Sequence, residues 1–265
     1  MGVSLSGYYA WSNRLPSRRA METEMIKSKI KEIYKKNRQV YGSPRIASSL
    51  KDEGISCSRP RTARLMKQMG LRAKTKRKFK RTTDSTHGRP VAPCLLSKSF
   101  IPMISDVAWV SDITYVPTQE GWLYVAVVMD LYSRKVVGLS MSDRMKRTLV
   151  MNAFNQAMLR RQPAAGVIAH SDQGSQYASH DYQSLLKRYG AVCSMAKSCY
   201  ENAYMESFFH TLKTELVYLR TFETRQEATQ SIFEYIELFY NNQRTHSSLG
   251  YLSPRDFEVA NASFR

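Results

Sequence analysis

The chain has 265 residues, long enough for two domains, and its hydrophobic fraction of 43% supports a buried core. Its net charge of +18 is uneven: residues 1–90 carry 23 Lys and Arg against 6 Asp and Glu, whereas residues 91–265 are nearly neutral. The absence of a membrane-length apolar run and of zinc-type cysteine spacing argues against a membrane protein and a zinc protein. We therefore expect a cytoplasmic protein with a basic, nucleic-acid-binding part.

Helices are predicted first in the basic part of the chain. One covers 22–39, and a second runs from Ser43, as its N-cap, to a stop at Gly54. A third begins near Arg59-Pro60. Two short helices joined by a Gly-containing turn are typical of a helix-turn-helix, although a hairpin that only packs remains an alternative. The residues of the third helix expected to contact DNA are Arg59, Arg61, Arg64 and Lys67.

A basic arm follows these helices. The segment Lys74–Arg81 (KTKRKFKR) cannot bury itself, so it is either a solvated linker or an arm that contacts phosphates. Under the second interpretation the contacts come from Lys74, Lys76, Arg77 and Lys78. We predict a lead segment over 1–21, a DNA-binding domain with its arm over 22–81, and a linker over 82–104 with turn-rich composition.

Strands and helices alternate in the second half of the chain. Period-two alternation predicts a first strand from Val107 up to a hairpin loop at Thr118–Gly121, a second from Trp122 to Leu131 and a third from Lys135 to Ser142. The order then predicted is a helix at 147–161, a strand at 167–171, a helix at 181–189, a strand at 191–195 and a long helix starting after Ser198. This order predicts an α/β fold with a mixed five-stranded sheet and a core domain over 105–219. A C-terminal helix at about 225–240 and a tail complete the chain at 220–265.

Three carboxylates stand out in this pattern. Asp112 lies in the first strand, Asp172 follows the fourth strand, and Glu206 lies on the long helix. If the fourth strand lies parallel beside the first, Asp112 and Asp172 meet, and the helix can bring Glu206 to them. Carboxylates in apolar surroundings are costly unless their charge is offset, and Mg²⁺ is a common partner at phosphoryl-transfer sites. The trio indicates phosphodiester chemistry.

Other polar and aromatic residues have less specific interpretations. We predict that His170 is a structural hydrogen-bonding residue, that Asp130 is a satisfied core carboxylate, and that Trp122 and Tyr124 are core aromatics. His210, one turn after Glu206, is equally consistent with a role near the site and with plain exposure. The tail residues left open between DNA contact and packing are Asn241, Arg244 and His246.

Six segments in order resemble one protein family. They are GVSLSGYYAW, YGSPRIASSLKDEGI, WVSDITYVPTQEGWLYVAVVMDLYSRKVVG, HSDQGSQY, YENAYMESFFHTLKTEL and YNNQRTHSSLGYLSP. In these segments the chain resembles the OrfB-type transposases of bacterial insertion sequences, in the DDE superfamily with retroviral integrase. The resemblance implies an RNase H-like integrase core with helices on both faces of the sheet, preceded by the helix-turn-helix domain.

The resemblance also implies roles and partners. Asp112, Asp172 and Glu206 would be the catalytic metal ligands for two Mg²⁺ ions, with Mn²⁺ as a substitute, and Lys213 would contact DNA near them. Double-stranded DNA, both element ends and target, would be the substrate, bound by a homo-oligomer, with an upstream-frame OrfA protein as a further partner. The segment between the fifth strand and the Glu206 helix is shorter than the family pattern. A non-catalytic DNA-binding or assembly protein is the alternative function, and a nuclease without strand transfer is a lesser enzymatic one.

Overall fold

The computed structural model describes residues 4–74, 92–96, 100, 102–196 and 202–262. The chain divides into two compact units, Met1–Lys74 and Thr75–Arg265. Among the described residues no helix is both long enough and apolar enough to cross a membrane. The predicted linker over 82–104 and the basic residues Lys76, Arg77 and Lys78 lie largely or wholly outside the described residues.

The first unit consists of four helices. They are α1 (Leu5–Ser12), α2 (Arg18–Lys36), α3 (Ser43–Asp52) and α4 (Arg59–Gln68). The apolar faces of α2, α3 and α4 bury one small core, which includes Ile30, Ile46, Leu50 and Leu65. Helix α1 has no buried residue.

Helices α3 and α4 and the turn between them follow the predicted helix-turn-helix pattern, with one difference at the start of α3. Gly54 has a φ of +75°, which glycine adopts without steric cost, and it ends α3. Ser58 caps α4 through its hydroxyl, which accepts from the Arg61 N–H. The predicted cap of α3 is wrong by one residue: Gly42 is the N-cap and Ser43 is already helical, because the first helical hydrogen bond runs from the Ile46 N–H to the Gly42 carbonyl.

The described part of the second unit contains five strands and five α-helices. The strands are β1 (Ala108–Thr118), β2 (Gly121–Asp130), β3 (Val136–Ser142), β4 (Ile168–Ser171) and β5 (Val192–Met195). The helices are α5 (Arg147–Arg161), α6 (His180–Arg188), α7 (Ala203–Glu215), α8 (Arg225–Glu234) and α9 (Pro254–Ala260). Helix α8 continues as π-helix over Tyr235–Tyr240.

The sheet has the order β3-β2-β1-β4-β5, as expected for a mixed sheet of this connectivity. The first three strands form antiparallel pairs, whereas β4 is parallel to both β1 and β5. The β1–β4 register pairs Val110 with His170. Both strands run the same way, so continuing this register places Asp112 level with Asp172.

Helices cover both faces of the sheet. On one face, α5 and α6 pack against Trp109, Ala126 and Val128 around the fully buried Phe154. A Cβ added at Gly138 of β3 would lie 2.1 Å from the Ala153 carbonyl oxygen of α5. The backbones of β3 and α5 can therefore be in direct contact at this point only because residue 138 has no side chain.

Helix α7 docks beside β1 through a polar contact and an apolar face. Asn202 Nδ2 donates to the Ser111 carbonyl at 3.2 Å, and Met205, Phe208 and Leu212 are buried. The predicted capping box after Ser198 lies outside the described residues, as does the short segment before this helix, and the structure describes α7 from Ala203.

The C-terminal tail is packed, which decides between the two interpretations for two of its polar residues. Asn241 is buried and pairs with the backbone of Val136: its Oδ1 accepts from the N–H at 2.9 Å and its Nδ2 donates to the carbonyl at 3.0 Å. Arg244 is buried and donates twice to Glu215 of α7, at 2.8 and 2.7 Å. Tyr235 donates to the same carboxylate at 2.7 Å. The tail therefore fixes the end of α7.

Candidate active site

Asp112 is the centre of an acidic cluster. Burial raises the pKa of its carboxyl to about 8, and the negative charges of Asp172 and Glu206 act in the same direction. An N–H···O bond from Ile113 and the cation of Lys213 oppose this rise in pKa. The structure thus brings four of the predicted site residues within electrostatic range of one another, and three of them are carboxylates.

A tight turn positions Asp172 directly after β4. Its Oδ1 accepts from the Gly174 N–H at 2.9 Å, and the Tyr177 N–H then donates to the Gly174 carbonyl at 3.0 Å. The Tyr177 ring is buried, and among the described residues its hydroxyl has no hydrogen-bond partner. The charges of Asp112 and Asp172 add to burial in raising the pKa of this phenol, so a buried polar group faces the carboxylates.

Helix α7 contributes Glu206 and Lys213. Glu206 is exposed, so its side chain is accessible to a bound ion, and His210 one turn later is exposed as well. Lys213 is half-buried: burial lowers its pKa while the Asp112 carboxylate raises it. Its Nζ lies 5.2 Å from the centre of the Tyr115 ring. Lys213 is therefore a cation held between an acidic group and an aromatic ring.

The neighbouring polar residues have structural roles. His170 is fully buried, with Nδ1 2.9 Å from Ser194 Oγ. Asp130 is fully buried and accepts from the Asp106 N–H, the Ser133 N–H and the Ser133 hydroxyl at 2.8 to 2.9 Å. The predicted structural interpretations of both residues are thus confirmed.

The carboxylates fit a divalent cation by their chemistry and charge. Three carboxylates supply the oxygen ligands that Mg²⁺ prefers, and a cation would offset the repulsion that raises the pKa of Asp112. Within the described ranges, no three His, Cys, Asp or Glu side chains already form a metal-binding group. The fit therefore rests on the oxygen donors of the three carboxylates, on their mutual electrostatics and on the unpartnered Tyr177 hydroxyl. It does not rest on side chains that are already arranged around a metal position.

In the first unit, the predicted DNA-contact residues differ in accessibility. Arg59, Arg64, Lys67 and Lys74 are exposed. Arg61 is half-buried and donates to Glu22 at 2.9 Å and to Thr23 at 3.2 Å, both on α2. Sequence alone could not show this pairing, because the partners lie on different helices.

Gly174 is a residue of the site that the sequence did not single out. A Cβ at this position would lie 2.9 Å from Asp172 Oδ1, so Gly174→Ala must displace the carboxylate. We expect the phosphodiester chemistry that the sequence predicts for this site to slow by about 10²-fold, the cost of a misplacement of about 1 Å. The melting temperature of the metal-free protein should change little, since the added methyl meets a side-chain end and not the backbone. A wild-type rate would show that Asp172 needs no such room.

The fold and the site together define a class of protein: an integrase-type core preceded by a helix-turn-helix-like unit. The chain matches the integrase core domain family over residues 104–199 and again over 206–261, and the HTH-like domain family over 22–79.

Relatives along nearly the whole chain agree. It is 45% identical to the transposase for insertion sequence element IS904 of Lactococcus lactis, over 94% of this chain and 100% of that one. It is 41% identical to the transposase InsF for insertion sequence IS3A of Escherichia coli, over 98% and 91%. An uncharacterized 31 kDa protein of insertion element IS600 of Shigella sonnei is 46% identical over 97% and 95%. The chain belongs to the family of insertion-sequence transposases.

Solved integrase cores are more distant. The catalytic core domain of HTLV-2 integrase in complex with magnesium aligns at 14% identity and a TM-score of 0.45, over 58% of this chain and 97% of that one. The catalytic core domain of BIV integrase aligns at 17% identity and a TM-score of 0.45, over 60% and 99%.

Proposed function

We propose that this protein cleaves DNA at the ends of its insertion sequence and joins the freed ends to target DNA, in a reaction that depends on divalent metal ions. The observation that carries this proposal is the electrostatic coupling of the half-buried Asp112 with Asp172 and Glu206. A half-buried Asp112 carboxyl that is repelled by two neighbouring carboxylates is a costly arrangement, and metal binding would offset that cost.

Asp112, Asp172 and Glu206 would hold two Mg²⁺ ions, with Mn²⁺ as a substitute. When bound, such ions activate an attacking oxygen and stabilise a leaving one. The protein supplies the positions: Asp112 lies on the central strand, the Gly174 N–H orients Asp172, and α7 carries Glu206. Because His170 is buried against Ser194, we assign it no proton-transfer step.

The proposed reaction has two transfers at one site. Water attacks a phosphodiester at an element end and breaks its P–O3′ bond, which releases a 3′-hydroxyl. That hydroxyl then attacks a phosphodiester of the target, and the 3′-hydroxyl of the target strand leaves. Lys213 is positioned to hold a DNA phosphate beside Asp112. Arg59, Arg64 and Lys67 of α4 would contact the element end, with the basic arm from Lys74 onward contacting phosphates. We propose that the protein acts in the cytoplasm at the nucleoid, as a homo-oligomer on DNA and together with an upstream-frame OrfA protein.

A strand-transfer assay with the element's own ends tests the proposal. Mg²⁺ or Mn²⁺ should support cleavage and joining, whereas Ca²⁺ should support binding alone. The assay is run with and without the upstream-frame protein, so that a missing partner is distinguished from a missing activity. End-specific binding without cleavage in every arm would favour the alternative, a non-catalytic DNA-binding protein.

Arg64 and Arg61 form a matched pair for testing DNA recognition by α4. Arg64 is exposed, whereas Arg61 is paired with Glu22. Arg64→Ala should reduce the preference for the element end over random DNA by about 1–3 kcal/mol, the value of a good base contact. Arg61→Ala should change this preference less. Competition binding at fixed salt measures both. If both variants bind specific and random DNA more weakly by the same factor, so that the preference is unchanged, α4 does not read sequence.

We expect Lys213 to contribute to DNA binding at the site and not to the stability of the fold. Lys213→Ala should weaken strand transfer by the value of one charge-assisted phosphate contact, about 1.5–3 kcal/mol, with little change in melting temperature. The contrasting variant on the same helix is Phe209→Ala, which removes a buried ring and should cost about 3–5 kcal/mol of folding free energy. Normal strand transfer by Lys213→Ala at physiological salt would remove Lys213 from the site.

A further inference from the structure

The β1–β2 hairpin exposes a large aromatic side chain. Trp122 is 49% exposed, which contradicts its predicted place in the core, whereas Trp109 on the neighbouring strand is fully buried. Tyr124 is partly buried and packs against the core beneath α5 and α6. An exposed indole offers a large apolar face, with a polar N–H at its edge, to a binding partner.

The exposed tryptophan stands on a rigid hairpin. Arg225, at the start of α8, donates from Nε to the Trp122 carbonyl at 3.1 Å and from Nη2 to the Glu120 carbonyl at 2.6 Å. Its backbone N–H donates to the Glu120 carboxylate at 2.8 Å. Gly121, with a φ of +108°, leaves room for the guanidinium, because a Cβ there would lie 2.9 Å from Nη2. A hairpin backbone held in this way loses little conformational freedom on binding.

A continuous set of contacts leads from Trp122 to the carboxylates. The rings of Trp122 and Tyr115 meet edge to face, with centroids 4.8 Å apart and planes at 82°. Lys213 Nζ lies 5.2 Å from the Tyr115 ring centre and interacts with Asp112. Trp122 pairs with Pro117, five residues beyond Asp112 on β1, which corresponds to about 16 Å along the strand.

We propose that Trp122, Tyr115 and Lys213 form a DNA-binding surface, on which the exposed face of Trp122 stacks against an unpaired base of the element end. Alternating aromatic and basic groups suit single-stranded nucleic acid, since every base has a π-face and every nucleotide a phosphate. Only an unpaired base presents a free face, because bases within a duplex are covered by their neighbours. The inference rests on the proposed function, in which the DNA strand passes the carboxylates beside Lys213.

The 16 Å spacing sets the position to test. At about 3.4 Å per base, it corresponds to roughly five nucleotides from the reacting phosphodiester. Two element-end duplexes are compared without metal, one fully paired and one with unpaired bases at that position. Trp122→Ala should bind the unpaired DNA about 5- to 150-fold more weakly than the wild type, while binding to the paired DNA changes less than twofold.

Tryptophan fluorescence provides a readout independent of catalysis. The chain has three tryptophans, and Trp11→Phe leaves the buried Trp109 and the exposed Trp122. In this background, unpaired DNA should quench the emission and protect Trp122 from acrylamide. If Trp122→Ala changes the affinity for both duplexes by the same factor relative to the wild type, the inference is overturned. Protection from acrylamide that appears on raising the protein concentration without DNA would also overturn it, because a second copy would then cover the ring.

Failure of the proposed function gives a different result. If Asp112→Asn retains cleavage, the metal-site assignment fails. The affinity and fluorescence measurements on Trp122 are made without metal, so their outcome does not depend on that assignment. Conversely, loss of cleavage in Asp112→Asn together with an unchanged Trp122 affinity ratio would leave the active site in place and overturn only the stacking surface.

Discussion

Replacement of Asp112 by Asn is expected to abolish DNA cleavage, with a loss of about 10³-fold or more. The variant keeps the shape of the side chain but removes a charged oxygen ligand at the centre of the acidic cluster, and metal-based charge stabilisation is worth several kcal/mol in a transition state. DNA affinity should change little, because the basic first unit supplies most of it. Cleavage of labelled element ends and equilibrium DNA binding, measured on the same preparation, test both expectations. A variant that cleaves at a normal rate would remove Asp112 from the reaction.

The same variant should change the pH dependence of stability. The pKa of Asp112 is about 8 in the folded protein against an ordinary value of 3.8, so the folded state retains a proton that the unfolded chain loses. The contribution of Asp112 to stability is therefore fully present below pH 4 and is lost as the pH rises through about 8. Asn does not titrate. The melting temperature of metal-free Asp112→Asn, relative to the wild type, should rise between pH 5 and pH 8. A constant difference would contradict the raised pKa.

Replacement of Arg244 by Met should reduce the free energy of unfolding by about 3–5 kcal/mol. The variant leaves the Glu215 carboxylate buried without its bidentate partner, and an uncompensated buried charge carries a penalty of this size. Urea unfolding measures the loss. The triple variant Glu215→Leu/Arg244→Met/Tyr235→Phe removes both charges and the hydroxyl that donates to Glu215, and most of the stability should return, since apolar side chains can replace a buried polar network at little cost. No recovery in the triple variant would show that packing by Arg244, and not its charge, is what α7 requires.

Local patterns in the sequence predicted much of the catalytic core. Alternation along β1 to β3 and the helical segment of α5 depend on neighbouring residues, and the strand order follows from the connectivity. The meeting of Asp112 and Asp172 follows from a single assumption, the parallel pairing of β1 with β4. These features are encoded over short stretches of chain, where period and turn chemistry determine structure.

The remaining features depend on partners far apart in sequence. The sequence predicts that Arg61 contacts DNA, whereas the structure pairs it with Glu22 of another helix. Arg244 and Asn241 could serve DNA or packing, and only the positions of Glu215 and Val136 decide between these roles. Trp122 alternates in phase with core residues, yet it lies at a hairpin tip where the sheet ends. The two-residue alternation of apolar side chains does not show where the helices that cover the sheet end.

The pairing of Asn241 with Val136 has a consequence for association between copies. Strand β3 lies at one edge of the sheet, where unpaired N–H and carbonyl groups can template the addition of a foreign strand. The Asn241 amide offers one donor and one acceptor to Val136, as a neighbouring strand would, and occupies the start of that edge. At this position the Asn241 side chain therefore blocks the edge-to-edge addition of a strand from a second copy.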